Sequence, residues 1–406
     1  MTDRYRIGIV CGTLLQGGGG RYAYELCRVL DQSRFEIDLL AIAPWGVRRH
    51  HYAEPIRRCG IGIRPILPLF HFRSLPPTLR PAALAVQNIY RRRLLPRLVA
   101  KYDLVATLSL DHFLDVEFML PPSQTVVVHL LNHLHQYSHN RFMEWPSRRP
   151  GLIICMDRVQ EQEMFSSLGQ RVDSTVTVPL PIDPSQFDPI LEWPDRRRLV
   201  IGCFMRLERD RSPGRVLRAF AHLVKRVDAE LHFYGRGEPS ELSNEARTLG
   251  IGDRVKFPGH AQNMRQTILD DGVGLVWLTA CNDEVGYAGI ELGLMAVPTY
   301  FLNIESSEHS ARILAQTGGA IHTYSAEEEL AAATAAAWQS GGYLRQAGRK
   351  LRVFMEKRHN STRNVRRIEA FYEQSIRDWK GGAYARPAQA SMREARCEAR
   401  RLESLR

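Results

Sequence analysis

The chain has 406 residues, 44% apolar and 24% charged, a balance that allows two domains of ordinary size, each with its own core. No run of about 18 apolar residues is present to span a bilayer as a helix, and the short, glycine-punctuated start is not a signal peptide, so a cytoplasmic protein is expected. The net charge of +11 is concentrated: residues 48–101 hold twelve Arg or Lys and one acid, Glu54, which marks a surface with an anionic partner.

Tyr5 to Cys11 predicts a buried strand and Gly12 to Gly20 a glycine loop; Tyr22, Leu26 and Leu30 give helical spacing over 21–30, and a second strand follows over 37–42. Strand, glycine loop, helix, strand is the opening unit of a doubly wound α/β domain. Gly18 and Gly19 lie where backbone N–H groups can approach an anion or a sugar without a Cβ in the way. Ile89 to Val99 mixes Arg91, Arg92, Arg93 and Arg97 with Leu94, Leu95 and Leu98. It suits either an interfacial helix on an anionic membrane or a helix whose leucines are core and whose arginines are solvated. No recognition motif accompanies the charge, so nucleic acid is not an expected partner.

Further buried strands are expected over 103–110, 125–129 and 152–155, with a helix over 157–168. His129 falls at a strand's carboxyl end, where open α/β sheets bind ligands; His133 and His135 lie close by, and a structural histidine remains the alternative. The proline-rich stretch Val176 to Phe187 closes the first domain, and the polar stretch 192–198 leads to a fresh strand, Leu199 to Phe204. Then comes Met205 to Pro213, whose Arg206 and Arg211 are two cations able to hold a diphosphate or, alternatively, to pair with Glu208 and Asp210. A helix over 215–227, a strand from Ala229 ending in Gly235-Arg236-Gly237, and a strand and turn from Val255 to His260 with Gly259 follow.

Val273 to Leu278 predicts a buried strand that runs into residues 281–298: a loop with Asp283, Glu284, Gly286, Tyr287, Ala288 and Gly289, a helix carrying Glu291, and Pro298 past its end. A carboxylate there can accept hydrogen bonds from sugar hydroxyls while the helix start faces an anion, which suits a sugar on a diphosphate. A strand over 299–302, an alanine-rich helix over 327–338, a helix over 363–379 and a polar tail over 380–406 complete the reading. Seven scattered cysteines with no Cys-x-x-Cys pair indicate reduced thiols, not disulfides or a zinc site.

In their order these features resemble the retaining GT-B glycosyltransferases of the large family 4 type (glycosyl transferases group 1). Asp283 and Glu291 match that family's two acids eight positions apart around a Gly-aromatic-Gly turn, with Asp where the first Glu is usual. Arg206 and Arg211 match its Arg and Lys, while Met205 and Ser212 replace glycines. The resemblance implies an α/β fold of two Rossmann-like, doubly wound domains facing across a cleft: an acceptor-side domain over 1–190, a nucleotide-sugar domain over 191–360, and a helix over 361–379 crossing back to the first. It implies Arg206 and Arg211 on the diphosphate, Glu291 on the ribose, Asp283 or Glu284 with the Gly286–Ala288 turn orienting the sugar, and His129 contacting it. Gly18, Gly19, Gly235 and Gly259 would line the donor. The substrate implied is a UDP- or GDP-linked sugar, with no metal and no further cofactor. The acceptor would be a glycan or a lipid-linked intermediate of cell-surface polysaccharide or glycolipid synthesis, approached at an anionic membrane through 48–101. A nucleotide-sugar 2-epimerase and a non-catalytic partner of the same fold are the alternatives.

Overall fold

The computed structural model of the chain describes residues 4–15, 17–42, 50–66, 77–79, 82, 85–86, 95–116, 120–121, 124–131, 151–158, 160–162, 164, 175–192, 197–280, 285–303 and 317–380. The chain divides into two compact units. One runs to Asp183 and resumes at Ser361; the other is Pro184–Asn360. The boundary lies a few residues earlier than the polar linker suggests. The reason is that Ile190 N donates to Met295 O at 2.8 Å and Arg352 Nη1 to Phe187 O at 3.0 Å, which fastens 184–190 to the second unit.

The first unit is built on a parallel sheet of β1 (Tyr5–Cys11), β2 (Phe35–Ala41), β3 (Gly62–Pro65), β4 (Leu104–Thr107), β5 (Thr125–Leu130), β6 (Leu152–Cys155) and β7 (Thr175–Thr177). Its spatial order is β3-β2-β1-β4-β5-β6-β7. The near-continuous apolar runs Ile7 to Cys11 and Val126 to Val128 reflect burial on both faces, as a parallel sheet requires. The C-terminal helix Ser361–Lys380 belongs to this unit and packs on the first helix, Gly18–Val29, and on β5. It buries Val365, Ile368, Tyr372 and Ile376, and its Glu369 accepts from Asp31 N at 2.7 Å.

The second unit repeats the plan with β8 (Leu199–Phe204), β9 (Ala229–Tyr234), β10 (Val255–Lys256), β11 (Leu275–Ala280), β12 (Thr299–Asn303) and β13 (His322–Tyr324), ordered β10-β9-β8-β11-β12-β13 and parallel throughout. Helix Pro213–Leu223 starts on a proline, whose missing N–H costs nothing at that position, and buries Val216, Leu217, Phe220 and Leu223. Trp277 is fully buried and satisfies its indole by donating to Thr334 Oγ1 at 3.1 Å. Helix Gly286–Leu294 lies against helix Tyr343–His359, which the sequence reading does not contain. Their approach depends on absent side chains: a Cβ on Gly348 would stand 2.1 Å from Ala296 O, and one on Gly293 would stand 2.6 Å from Met355 Cγ.

In each sheet the winding reverses beside its first strand, between β1 and β4 and between β8 and β11. Loops leaving the carboxyl ends of those strands are where open α/β sheets hold ligands.

Candidate functional site

In the second unit, the switch point gathers the loop after β8, the loop after β9 and the end of β11. Leu207 N donates to Arg236 O at 2.9 Å, joining the first two. Thr279, near the end of β11, donates its hydroxyl to Arg211 O at 2.8 Å, which fixes the far end of the same loop. Arg206 and Arg211 are thus carried on one segment anchored at both ends. Arg206 pairs with Glu208, and its side chain is 50% exposed, so the charge remains open to solvent. The carbonyl of Arg211 is held while its side chain is not used for that anchor.

The glycines here divide by role. Gly235 is a packing glycine: a Cβ on it would lie 1.7 Å from Met205 O, so its absence lets the loops after β8 and β9 touch. Gly259, with φ +89, and Gly286, with φ +63, occupy the left-handed region that other residues rarely adopt, and no heavy atom lies within 4 Å of where a Cβ would be. Ser212 takes the same left-handed conformation, φ 46 and ψ 47, as a non-glycine. The resemblance expects a glycine here, and the observed conformation is one that glycine adopts without strain.

Helix Gly286–Leu294 begins at the residue after Val285, directly following the 281–284 segment. Tyr287 is buried, whereas Ala288 and Glu291, three residues apart, share a partly open face. Asp283 and Glu284, expected to orient the sugar, lie outside the described residues, as do His133, His135, the arginines Arg91 to Arg93 and most of the tail. His260 follows β10, and burial, helped by the Arg236 guanidinium, lowers its pKa.

In the first unit, Gly18 and Gly19 open the helix Gly18–Val29, and both are exposed. Gly20 is packed instead: its Cβ would meet Leu15 O at 2.4 Å. His129 is corrected. It sits on β5 near the carboxyl end as expected, but it is fully buried, with Nδ1 2.7 Å from Tyr22 Oη and Nε2 2.7 Å from Tyr372 Oη. Both ring nitrogens are therefore committed to tyrosines on the first and last helices of the unit. Burial lowers the pKa of His129 to about 3, which keeps the ring neutral. A neutral imidazole with one donor and one acceptor fits two hydroxyls, so His129 braces the interior and has no ring nitrogen left over for a sugar. Strand-end position located it correctly; only the fold reveals the tyrosines that close over it.

No protein-family model and no curated protein sequence matches this chain. Solved structures do. HepE from Anabaena, in complex with UDP and glucose, aligns with a TM-score of 0.69 and 14% identity over 91% of this chain and 100% of its own. TarM from S. aureus aligns at 0.66 and 10% identity over 92% and 99%. Sucrose-phosphate synthase from Thermosynechococcus elongatus aligns at 0.65 and 14% over 91% and 99%. At such identities the likeness establishes architecture: the chain has the GT-B fold, two Rossmann-like α/β units joined by the crossings at 183–184 and 360–361.

Proposed function

We propose that the protein is a metal-independent, retaining glycosyltransferase that moves a sugar from a nucleotide-sugar to a glycan or lipid-linked acceptor in cell-surface polysaccharide or glycolipid synthesis. The observation that carries the reading is the stitched loop after β8, with Arg206 and Arg211 anchored between Leu207 N and Thr279 Oγ1 at the switch point of the second sheet. The shared architecture with HepE, which was solved with UDP-glucose, supports UDP as the first nucleotide to try and a GDP-linked sugar as the next.

In this reading Arg206 and Arg211 neutralise the departing diphosphate, the main electrostatic demand of the reaction. Glu291 accepts from the ribose hydroxyls, and Asp283 or Glu284 orients the sugar with Gly286–Ala288, which form the first turn of the helix and not a loop ahead of it. The bond from the anomeric carbon to the phosphate oxygen breaks, the bond to the acceptor oxygen forms on the same face, and the acceptor's proton passes to the released phosphate. His129 has no part in this. Mass analysis of products from a UDP- and GDP-sugar panel, with and without EDTA, tests the proposal: a glycosylated acceptor formed equally well with chelator supports it. A free isomer of the donor would instead indicate a 2-epimerase.

A non-catalytic partner of the same fold is the second reading, favoured by Asp283 where Glu is usual and by Met205 and Ser212 at positions where glycine is usual. It predicts donor binding without turnover, or no binding. For the acceptor side, the basic segment 48–101 motivates a peripheral position on the inner membrane face. Among the described residues no helix is long and apolar enough to cross a membrane. Vesicles containing anionic lipid should retain the protein at low salt and release it on neutralising Arg91 to Arg93; retention indifferent to both removes the membrane element.

A further inference from the structure

The second sheet carries a run of polar side chains where a parallel sheet is usually apolar. Ala229, Leu231 and Phe233 of β9 belong to the hydrophobic core, so the alternation of a strand puts Glu230, His232 and Tyr234 together on its other face. They are joined end to end. Lys256 Nζ and Arg198 Nη1 each reach the Glu230 carboxylate at 2.7 Å, one on Oε2 and the other on Oε1. His232 is buried beside it, with Nε2 3.1 Å from Glu230 Oε2 and Nδ1 3.0 Å from Tyr234 Oη. Tyr234 in turn donates its hydroxyl at 2.5 Å to Oδ2 of Asp271, the last residue of helix Met264–Asp271. Asp228, two residues before Glu230, is occupied by Arg198 and Arg254.

Three hydrogen bonds from Glu230 to Asp271 need three protons, and Tyr234 has one to give. The Lys256 ammonium, bonded to Glu230, lowers its pKa to about 2, so that carboxylate only accepts. Burial and the Asp271 carboxylate raise the pKa of Tyr234, so the phenol keeps its proton. The proton lies toward Asp271, because two bare oxygens 2.5 Å apart would repel. Tyr234 Oη and Glu230 Oε2 are then both acceptors toward His232, and the ring meets both only with a proton on each nitrogen. Two flanking carboxylates offset the cost of burying that cation. A neutral ring forfeits one bond of the three, either its own to Glu230 or the one from Tyr234 to Asp271.

Tyr234 is the last residue of β9, and its ring stacks on that of Phe204, the last residue of β8, at 4.7 Å and 17°. The loops leaving these two residues are the ones that touch at Gly235 and Met205 and are bonded at Leu207 and Arg236. We propose that His232 is a positioning residue for the donor: as an imidazolium it holds Tyr234 against Phe204, and through that ring pair the loops carrying Arg206 and Arg236, so that donor affinity falls as rising pH removes its second proton. The role rests on the nucleotide-sugar reading of the second unit. His260, which burial and the Arg236 guanidinium affect, is another titrating group near the same loops and is the comparison residue.

Two measurements on the full chain test this. In long-range 1H–15N correlation spectra of histidine-labelled, ligand-free protein, the His232 ring is assigned as the signal missing from His232→Gln. It should carry a proton on each nitrogen at pH 7; one bare nitrogen there overturns the inference. Calorimetry then follows UDP-glucose, GDP-mannose, dTDP-glucose and ADP-glucose from pH 6 to 8.5, a range in which their doubly esterified diphosphates do not titrate. One of them should bind the wild type and weaken roughly three- to tenfold as pH rises, the worth of one hydrogen bond. His232→Gln, and Tyr234→Phe with its ring retained, should show the weaker affinity at every pH, and a thermal melt checks that both are folded. A pH profile unchanged in His232→Gln, or abolished by His260→Gln instead, overturns the inference and leaves the donor reading standing. If none of the four binds at any pH, the donor reading fails and this role falls with it.

Discussion

Gly235→Ala is a single methyl group placed where the second unit has no space for it. The added carbon would stand 1.7 Å from Met205 O and 2.8 Å from Met205 C. Carbon and oxygen at rest keep roughly 3.4 Å apart, so the Met205–Arg206 peptide must withdraw by about 1.5 Å. That peptide opens the loop bearing Arg206 and Arg211, whose far end is pinned by Thr279, so the displacement cannot be spread evenly along it. Overpacking of this kind costs about 1–3 kcal/mol of stability. A misplacement near 1 Å in a positioning element costs on the order of 100-fold in function. The expected result is a folded variant by circular dichroism, with a lowered melting temperature and donor affinity or turnover reduced on the order of 100-fold. Gly259→Ala serves as the contrast, because its site is open and only its left-handed backbone is strained. If Gly235→Ala matches the wild type in both stability and donor binding, the loop is not held as described.

Acid should weaken the fold before carboxylates titrate. His129, lowered to about 3, and His112, lowered to about 4, stay unprotonated in the folded chain, with His260 and His322 displaced the same way. The unfolded chain takes up those protons near pH 6.5, so stability falls as pH drops below that value, by up to ~1.4 kcal/mol per pH unit for a fully buried imidazole. Glu369, whose carboxyl is raised by burial, opposes the trend, whereas Glu230, drawn down to about 2 by the Lys256 ammonium, adds to the loss only at lower pH. Urea titrations of wild type and His129→Gln between pH 7 and 5 should show a shallower slope in the variant; identical slopes would mean His129 is not the group responsible. Ser212→Gly should stabilise modestly. Relief of the left-handed conformation is worth about 1–2 kcal/mol and the added chain entropy of glycine removes roughly 0.5–1 kcal/mol. A lower melting temperature for Ser212→Gly would contradict the strain seen at φ 46.

Strands announced themselves where burial on both faces demands an unbroken apolar run. β1, β6 and β8 have the limits that Tyr5 to Cys11, Leu152 to Cys155 and Leu199 to Phe204 suggest. Helix Tyr343–His359 was missed because its many cations hide Leu344, Ala347, Leu351 and Met355, which do recur at helical spacing. β3 and β13 are too short, at four and three residues, to carry a period. Site geometry was less accessible still. The position of His129 was readable, but its tyrosines come from 107 and 243 residues away, and no local pattern connects them. Gly235 looked like a ligand-binding glycine, but Gly-x-Gly describes a packing role too, and its contact with Met205 adds that role, which no local pattern announces.

The account turns on the second unit holding a nucleotide-sugar. Calorimetric titration of UDP-, GDP-, dTDP- and ADP-linked sugars into the wild type, Arg206→Ala and Glu291→Ala, without added metal, tests this most directly. One nucleotide family should bind the wild type and lose roughly tenfold or more in each variant, as expected for removal of a charge-assisted contact. If none of the four binds the folded wild type, the protein is not the transferase proposed, and the non-catalytic reading takes its place.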